Sequence, residues 1–192
     1  VPCSRCGQAL FDSSGAHAAC CACPESTRGH YGVVKELLPR FKQCDPTAES
    51  EVTGLIPGTD LRPADILTQA LGNTVTALDV GITSPDSIRA GTDCAASMFQ
   101  RKMEYYRPYF GVLEQQNIEY IPLTWSSYGR PHSSTVTVLR TLSKRISRSR
   151  GTTTAAAVYH SMQSAIATEI WRRSARQVFW CWPGGERESD DA

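Results

Sequence analysis

The chain has 192 residues and a mass of 21.1 kDa, with 41% hydrophobic and 20% charged residues, enough apolar material for one packed domain and too much for a disordered chain. No apolar run approaches the roughly 20 residues of a membrane span, and Val1-Pro2-Cys3 carries neither the basic nor the apolar region of a secretory signal, so neither membrane insertion nor secretion is expected. The net charge of +1 gives by itself no reason to expect a nucleic-acid partner.

The distribution of charge is more informative. Residues 1–100 sum to −4, residues 101–180 to +8 and residues 181–192 to −3. A basic second half suits a polyanion held along one face, although a solvated helix surface gives the same count. The chain does not begin with Met, which predicts a piece of a longer polypeptide.

In chain order, residues 1–30 come first, with five of the eight cysteines in the first 23 positions. Such clustering beside a histidine points to metal in a reducing compartment rather than to a secreted disulfide framework. Cys3 and Cys6 form a C-x2-C knuckle, and His17 and Cys21 complete a C-x2-C-x10-H-x3-C pattern suited to a closed tetrahedral Zn²⁺ site. Cys20, Cys23 and His30 compete for the fourth position. From Gly32, Val33, Val34, Leu37, Leu38 and Phe41 have helical spacing, which Pro39 is expected to interrupt. Residues 44–60 are polar, with a short strand around Glu51. A strand is predicted from Arg62 to Leu67, with Pro63 marking an edge or a first position. A turn at Leu71-Gly72-Asn73 leads into a β-rich stretch, Thr74 to Thr83.

Ser84-Pro85-Asp86 has the composition of a helix start, so a long helical region is expected over 87–116. A strand over Ile118 to Trp125 follows, then helices near 132–147 and 154–178, with a Ser/Arg/Thr-rich loop over 143–154 and an acidic, disordered tail over 181–192. This order predicts an α/β layered fold on a small mixed sheet.

Asp65 and Asp79 sit on adjacent β segments joined by a short turn, and a hairpin can bring both to one end of a sheet. Two carboxylates that close hold their charge only with a cation between them. Oxygen ligands of this kind select Mg²⁺ or Mn²⁺, which can polarise a phosphate and activate water. Two unrelated surface aspartates are the plain alternative. Asp79 weakens it, because it lies between apolar strand residues where an unpaired carboxylate is costly.

The knuckle, "RGHYGVVKELL", "RPADIL", "LDVGITSP", "QRKMEYY" and "IEYIPLTWSSYG", in this order, resemble the C-terminal restriction-like endonuclease region of site-specific non-LTR retrotransposon proteins, which belongs to the PD-(D/E)xK superfamily. The resemblance runs from about residue 3 to 130 and weakens towards 178. It implies a zinc knuckle (1–30), a restriction-endonuclease-like core (31–130) and a C-terminal helical extension (131–180). It further implies Asp65 and Asp79 as Mg²⁺ (or Mn²⁺) ligands, with Glu51 or Glu49 as an upstream acid. The superfamily lysine position is Gly81 here, so its role passes to Lys102 on the following helix, with Tyr106 one turn on. The implied activity is nicking of target DNA to prime reverse transcription, in the nucleus, next to an upstream reverse transcriptase and the element RNA.

Arg101, Arg107, Arg130, Arg140, Lys144, Arg145, Arg148 and Arg150 are the candidate phosphate contacts, and Tyr105, Tyr106, Tyr109 and Phe110 either stack on bases or form core. A nuclease-fold module that holds nucleic acid without cutting it is the alternative function. The triad Asp65, Asp79 and Lys102 separates the two.

Overall fold

The computed structural model describes residues 2, 3, 6, 7, 17, 18, 21, 25–87, 89–151 and 153–182. Helix α1 spans Glu25–Lys42, followed by strands β1 (Glu49–Val52), β2 (Ala64–Thr68) and β3 (Val75–Thr83). Helix α2 (Cys94–Tyr106), a 3₁₀ turn (Arg107–Tyr109) and helix α3 (Phe110–Gln115) lead to β4 (Ile118–Ser126). Helices α4 (Ser133–Arg150) and α5 (Ala155–Cys181) complete the described chain. The strands form one mixed sheet in the order β1-β2-β3-β4, with β1, β2 and β3 antiparallel and β4 parallel to β3. The chain is therefore a mixed α/β protein with helices flanking a small mixed sheet. Among the described residues no helix is long and apolar enough to cross a membrane.

Strand alternation sorts the side chains into two layers. Ile66, Leu78, Val80, Leu123 and Trp125 pack with Val33, Leu37 and Phe41 of α1, Leu139 and Leu142 of α4 and Met162 and Ile166 of α5. Ala77 and Tyr120 pack with Tyr106 and Leu113 in a second cluster, beneath α2 and α3. Helices α4 and α5 thus share the main core with the sheet. On α5, Ile166 and Ile170 are buried, whereas Trp171 and Val178 are exposed.

Several element boundaries differ from expectation for identifiable reasons. Helix α1 runs through Pro39 to Lys42, because the buried Leu37 and Phe41 outweigh the roughly 3 kcal/mol of an interior proline. Ser84 starts a turn instead of a helix: its Oγ accepts from the Asp86 amide at 3.2 Å, and the helix begins ten residues later behind the N-cap Asp93. The Ser/Arg-rich stretch continues α4 to Arg150, where Gly151 at φ 68° closes it in the left-handed conformation. Pro63 immediately precedes β2, which is flanked by β1 and β3, so it marks a strand start and not an edge. Residues 183–192 of the acidic tail lie outside the described residues.

Candidate functional site

The register of the sheet builds an acidic row. Ile66 pairs with Leu78 and Leu67 with Ala77 between β2 and β3, which sets Asp65 opposite Asp79. Ser50 pairs with Ile66 and Val52 with Ala64 between β1 and β2, which sets Glu51 opposite Asp65. Asp65 thus stands between the other two acids: its ligand atom lies within 4.8 Å of that of Glu51, and its charge acts on Asp79. Glu49, the other upstream acid, pairs with Leu67, is exposed and lies outside this row.

Each acid is held differently. Asp65 accepts a hydrogen bond from the Val80 amide through Oδ2 at 2.6 Å, and its Oδ1 lies 3.0 Å from Nε2 of His30 on α1. Burial disfavours the imidazolium, but the hydrogen bond and charge of Asp65 outweigh it, and His30 titrates above its ordinary value. Asp79, 5% exposed, accepts from Lys102 Nζ through Oδ1 at 2.5 Å and from the Tyr120 hydroxyl through Oδ2 at 2.6 Å. Burial pushes its carboxyl up to about 6, Lys102 pulls it down and the Asp65 charge adds to the rise. Glu51 adopts φ 56°, a left-handed conformation uncommon for a residue other than glycine. Its Oε1 is buried and has no hydrogen-bond partner among the described residues. The ligating atoms of His30, Glu51 and Asp65 all lie within 4.8 Å of one another.

Lys102 reaches Asp79 across Gly81. A Cβ built on Gly81 would stand 2.7 Å from Lys102 Cε and 3.2 Å from Met98 Cγ. The strand position that lacks a lysine is the one whose side-chain space the helix lysine fills. Tyr106 stands between β2 and Tyr120. Its hydroxyl donates to the Arg62 carbonyl at 3.1 Å, and its ring packs on Tyr120 at a centroid distance of 4.8 Å. It therefore braces the start of β2 and the tyrosine that holds Asp79. Sequence reasoning gave Tyr120 no role, and His30 was a candidate for the knuckle. The fold places His30 at the acids instead.

The second cluster is Cys3, Cys6, His17 and Cys21, whose ligand atoms also lie within 4.8 Å of one another and which could hold a structural metal such as zinc. Cys3 Sγ and Cys21 Sγ are 4.0 Å apart, and Cys6 Sγ lies 3.4 Å from His17 Nε2. A tetrahedral ion with ordinary zinc bond lengths sets two sulfurs about 3.8 Å apart and a sulfur and a nitrogen about 3.6 Å apart, so the donor set fits in chemistry and in span. Cys20 and Cys23 lie outside the described residues. Burial pushes the Cys21 thiol up to about 11, with the neighbouring Cys3 and Cys6 adding to the rise. Cys181, at the end of α5, is fully buried against Cys3 and Cys21; burial and those two sulfurs push its thiol up to about 12.

The basic candidates divide by their partners. Arg140, Lys144 and Arg148 are exposed on α4, and their spacing of four places them in one row along the helix. Arg107 is exposed on the 3₁₀ turn, whereas Arg145 is half-buried. Arg130 is a helix-cap partner: it makes two hydrogen bonds to Asp93, at 3.0 and 2.6 Å, while Asp93 Oδ1 accepts from the Ala96 amide at 3.0 Å. The guanidinium holds the Asp93 carboxyl well below the usual range. Arg101 donates to the Arg89 carbonyl at 2.6 Å. Tyr105 is exposed and Tyr106 buried, and Tyr109 and Phe110 pack against the second core cluster. No family model matches the chain, and no curated protein and no solved structure is significantly similar to it.

Proposed function

We propose that this chain is a metal-dependent DNA endonuclease of the restriction-like PD-(D/E)xK type, the nuclease of a site-specific non-LTR retroelement protein, which nicks target DNA to provide a primer end. The observation that carries this reading is the row Glu51, Asp65 and Asp79, with Lys102 bonded to Asp79. Two buried aspartates beside a half-buried glutamate, whose buried Oε1 has no partner among the described residues, match the needs of a hard divalent cation. Asp65 and Asp79, with Glu51, would hold Mg²⁺ or Mn²⁺, which supplies Lewis-acid polarisation of the phosphate and a water of lowered pKa.

The chain's own groups then divide the work. Tyr120 fixes one oxygen of Asp79 and the Val80 amide one oxygen of Asp65, so the carboxylates are oriented before substrate arrives. Lys102 places a cation where charge develops on the phosphate oxygens in the transition state. The exposed row on α4 offers phosphate contacts that position the duplex without reading its sequence. A Zn²⁺ ion on Cys3, Cys6, His17 and Cys21 would be structural, because three thiolates and an imidazole close its coordination shell.

Nicking of supercoiled plasmid in the presence of Mg²⁺ or Mn²⁺ tests the reading. Asp65→Ala, Asp79→Ala and Lys102→Ala should each lower the rate by roughly 100-fold or more while duplex affinity stays within about twofold. Lys102→Arg should not restore it, since a planar guanidinium cannot replace a compact ammonium at this contact. Native-like nicking by Asp79→Ala would refute the assignment. Duplex binding by the native chain without nicking in either metal would favour the non-cutting module.

A further inference from the structure

We propose that His30 is itself a ligand of the ion held by Glu51 and Asp65, and that this imidazole makes the site select Mn²⁺ over Mg²⁺. The proposal deepens the nuclease reading and rests on its metal site. Three elements converge there: α1 brings His30, β1 brings Glu51 and β2 brings Asp65, with their ligand atoms within 4.8 Å. An octahedral ion with bonds of about 2.1 Å sets neighbouring ligand atoms about 3.0 Å apart and opposite ones about 4.2 Å apart. His30 Nε2 and Asp65 Oδ1 stand at 3.0 Å, so both can bind one ion with little movement.

Glu51 supplies the independent observation. A left-handed backbone at a non-glycine residue costs on the order of 1–3 kcal/mol, and a buried acceptor without a donor adds its desolvation penalty. Glu51 carries both, at φ 56° and with Oε1 unpartnered among the described residues. The strained backbone sets that carboxylate beside His30 and Asp65, where a cation would satisfy it. Asp79, the acid farther along the row, is ion-paired with Lys102, so His30, Glu51 and Asp65 form the inner end of the site that Asp79 completes.

The donor set determines the ion. Mg²⁺ prefers oxygen ligands and gives up water reluctantly, whereas an imidazole nitrogen suits first-row transition ions. One nitrogen among carboxylate oxygens, with the remaining positions of an octahedral shell left for water and phosphate oxygens, suits Mn²⁺.

The test uses the full chain loaded with zinc, so that the knuckle is occupied, and titrates Mn²⁺ and Mg²⁺ without DNA. Free Mn²⁺ is followed by electron paramagnetic resonance, and the bound ion by the nitrogen modulation of its spin echo. The native chain should bind Mn²⁺ roughly tenfold or more tightly than Mg²⁺ and should show nitrogen modulation. His30→Gln should lose that modulation and about tenfold in Mn²⁺ affinity, with Mg²⁺ affinity changed less than about twofold. Should His30→Gln fail to fold, Glu51→Gln supplies the second arm: weaker Mn²⁺ binding with the modulation retained at saturating metal. Native protein without nitrogen modulation, or equal losses for both metals in His30→Gln, would overturn the proposal. Nicking without the modulation would remove His30 and leave the nuclease reading standing; the modulation without nicking would support His30 and sink the nuclease reading.

Discussion

At the residue scale, Asp79 shows how a site works against the stability of its own fold. Its carboxyl is raised to about 6, chiefly by burial, while in the unfolded chain it titrates near about 3.9. The folded state therefore binds more protons between these values, and stability falls as pH rises through that interval. At pH 7 the ionised group is a liability in the metal-free protein. Asp79→Asn retains an acceptor for Tyr120, and Lys102, with its side chain 21% exposed, can turn to water. The zinc-loaded variant, without other divalent ions, should show a higher denaturant midpoint than the native chain at pH 7, with the gap closing towards pH 4. A lower midpoint at pH 7 would show that the Lys102 pair outweighs the burial cost. His30 and Tyr120 show what the sequence could not disclose at this scale. His30 sits near the knuckle in the chain, and Tyr120 has no acid within its own strand except Glu119. Each acquires its partner only through pairing between distant elements.

At the element scale, Asp45 fastens the end of α1 to the end of β2. It accepts from the Thr47 amide at 3.1 Å and hydroxyl at 2.6 Å, and from the Thr68 hydroxyl and the Gln69 amide at 2.7 Å each. Burial raises its carboxyl, but these hydrogen bonds outweigh burial and leave it below the usual value. Its contribution is therefore present above the unfolded value of about 4 and is lost as pH falls through the folded one. Asp45→Ala should cost about 1–2 kcal/mol in chemical denaturation at pH 7 by removing these hydrogen bonds, one of them to the buried Thr68 hydroxyl, and the cost should shrink in acid; a loss below about 0.5 kcal/mol would contradict the fastening role. The knuckle is a second fastening, between the N-terminal segment and α5 through Cys181. Metal analysis should find about one zinc per chain, and Cys3→Ser or chelation should speed amide exchange both in residues 1–30 and in the last turn of α5. Unchanged exchange at the end of α5 would disconnect the two. The strands and their apolar alternation were legible because β3 and β4 are long and dominated by apolar residues. The start of α2 was not, because a serine that begins a turn offers the same hydroxyl-to-amide bond as one that caps a helix.

At the scale of the whole molecule, the charge asymmetry seen in the sequence resolves into a row on α4 and a group of arginines engaged within the protein. If Arg140, Lys144 and Arg148 neutralise three phosphates, duplex affinity should fall with a log–log salt slope of about −2.7, roughly 40-fold between about 50 and 200 mM salt. Reversing Lys144 and Arg148 to Glu should weaken binding to all sequences alike and flatten that slope, as read by fluorescence anisotropy; binding insensitive to salt would rule out this face. Arg130 is engaged differently, since its exchange would take away the guanidinium that steadies Asp93, the N-cap of α2.

The space above Gly81 ties two positions of the chain into one evolutionary unit. An ammonium at Asp79 can be delivered from the strand, two residues on and on the same face, or from α2 by Lys102, but a strand side chain and the helix lysine cannot share that space. Any side chain gained at position 81 displaces the Lys102 stem, and any lysine first gained at 102 needs a bare position 81 to cross. Substitutions at the two positions are therefore coupled: a side chain at position 81 requires the end of Lys102 to shift. Comparison column by column would score a lysine exchanged between the two positions as an unrelated loss and gain, although the charge stays at one point in space.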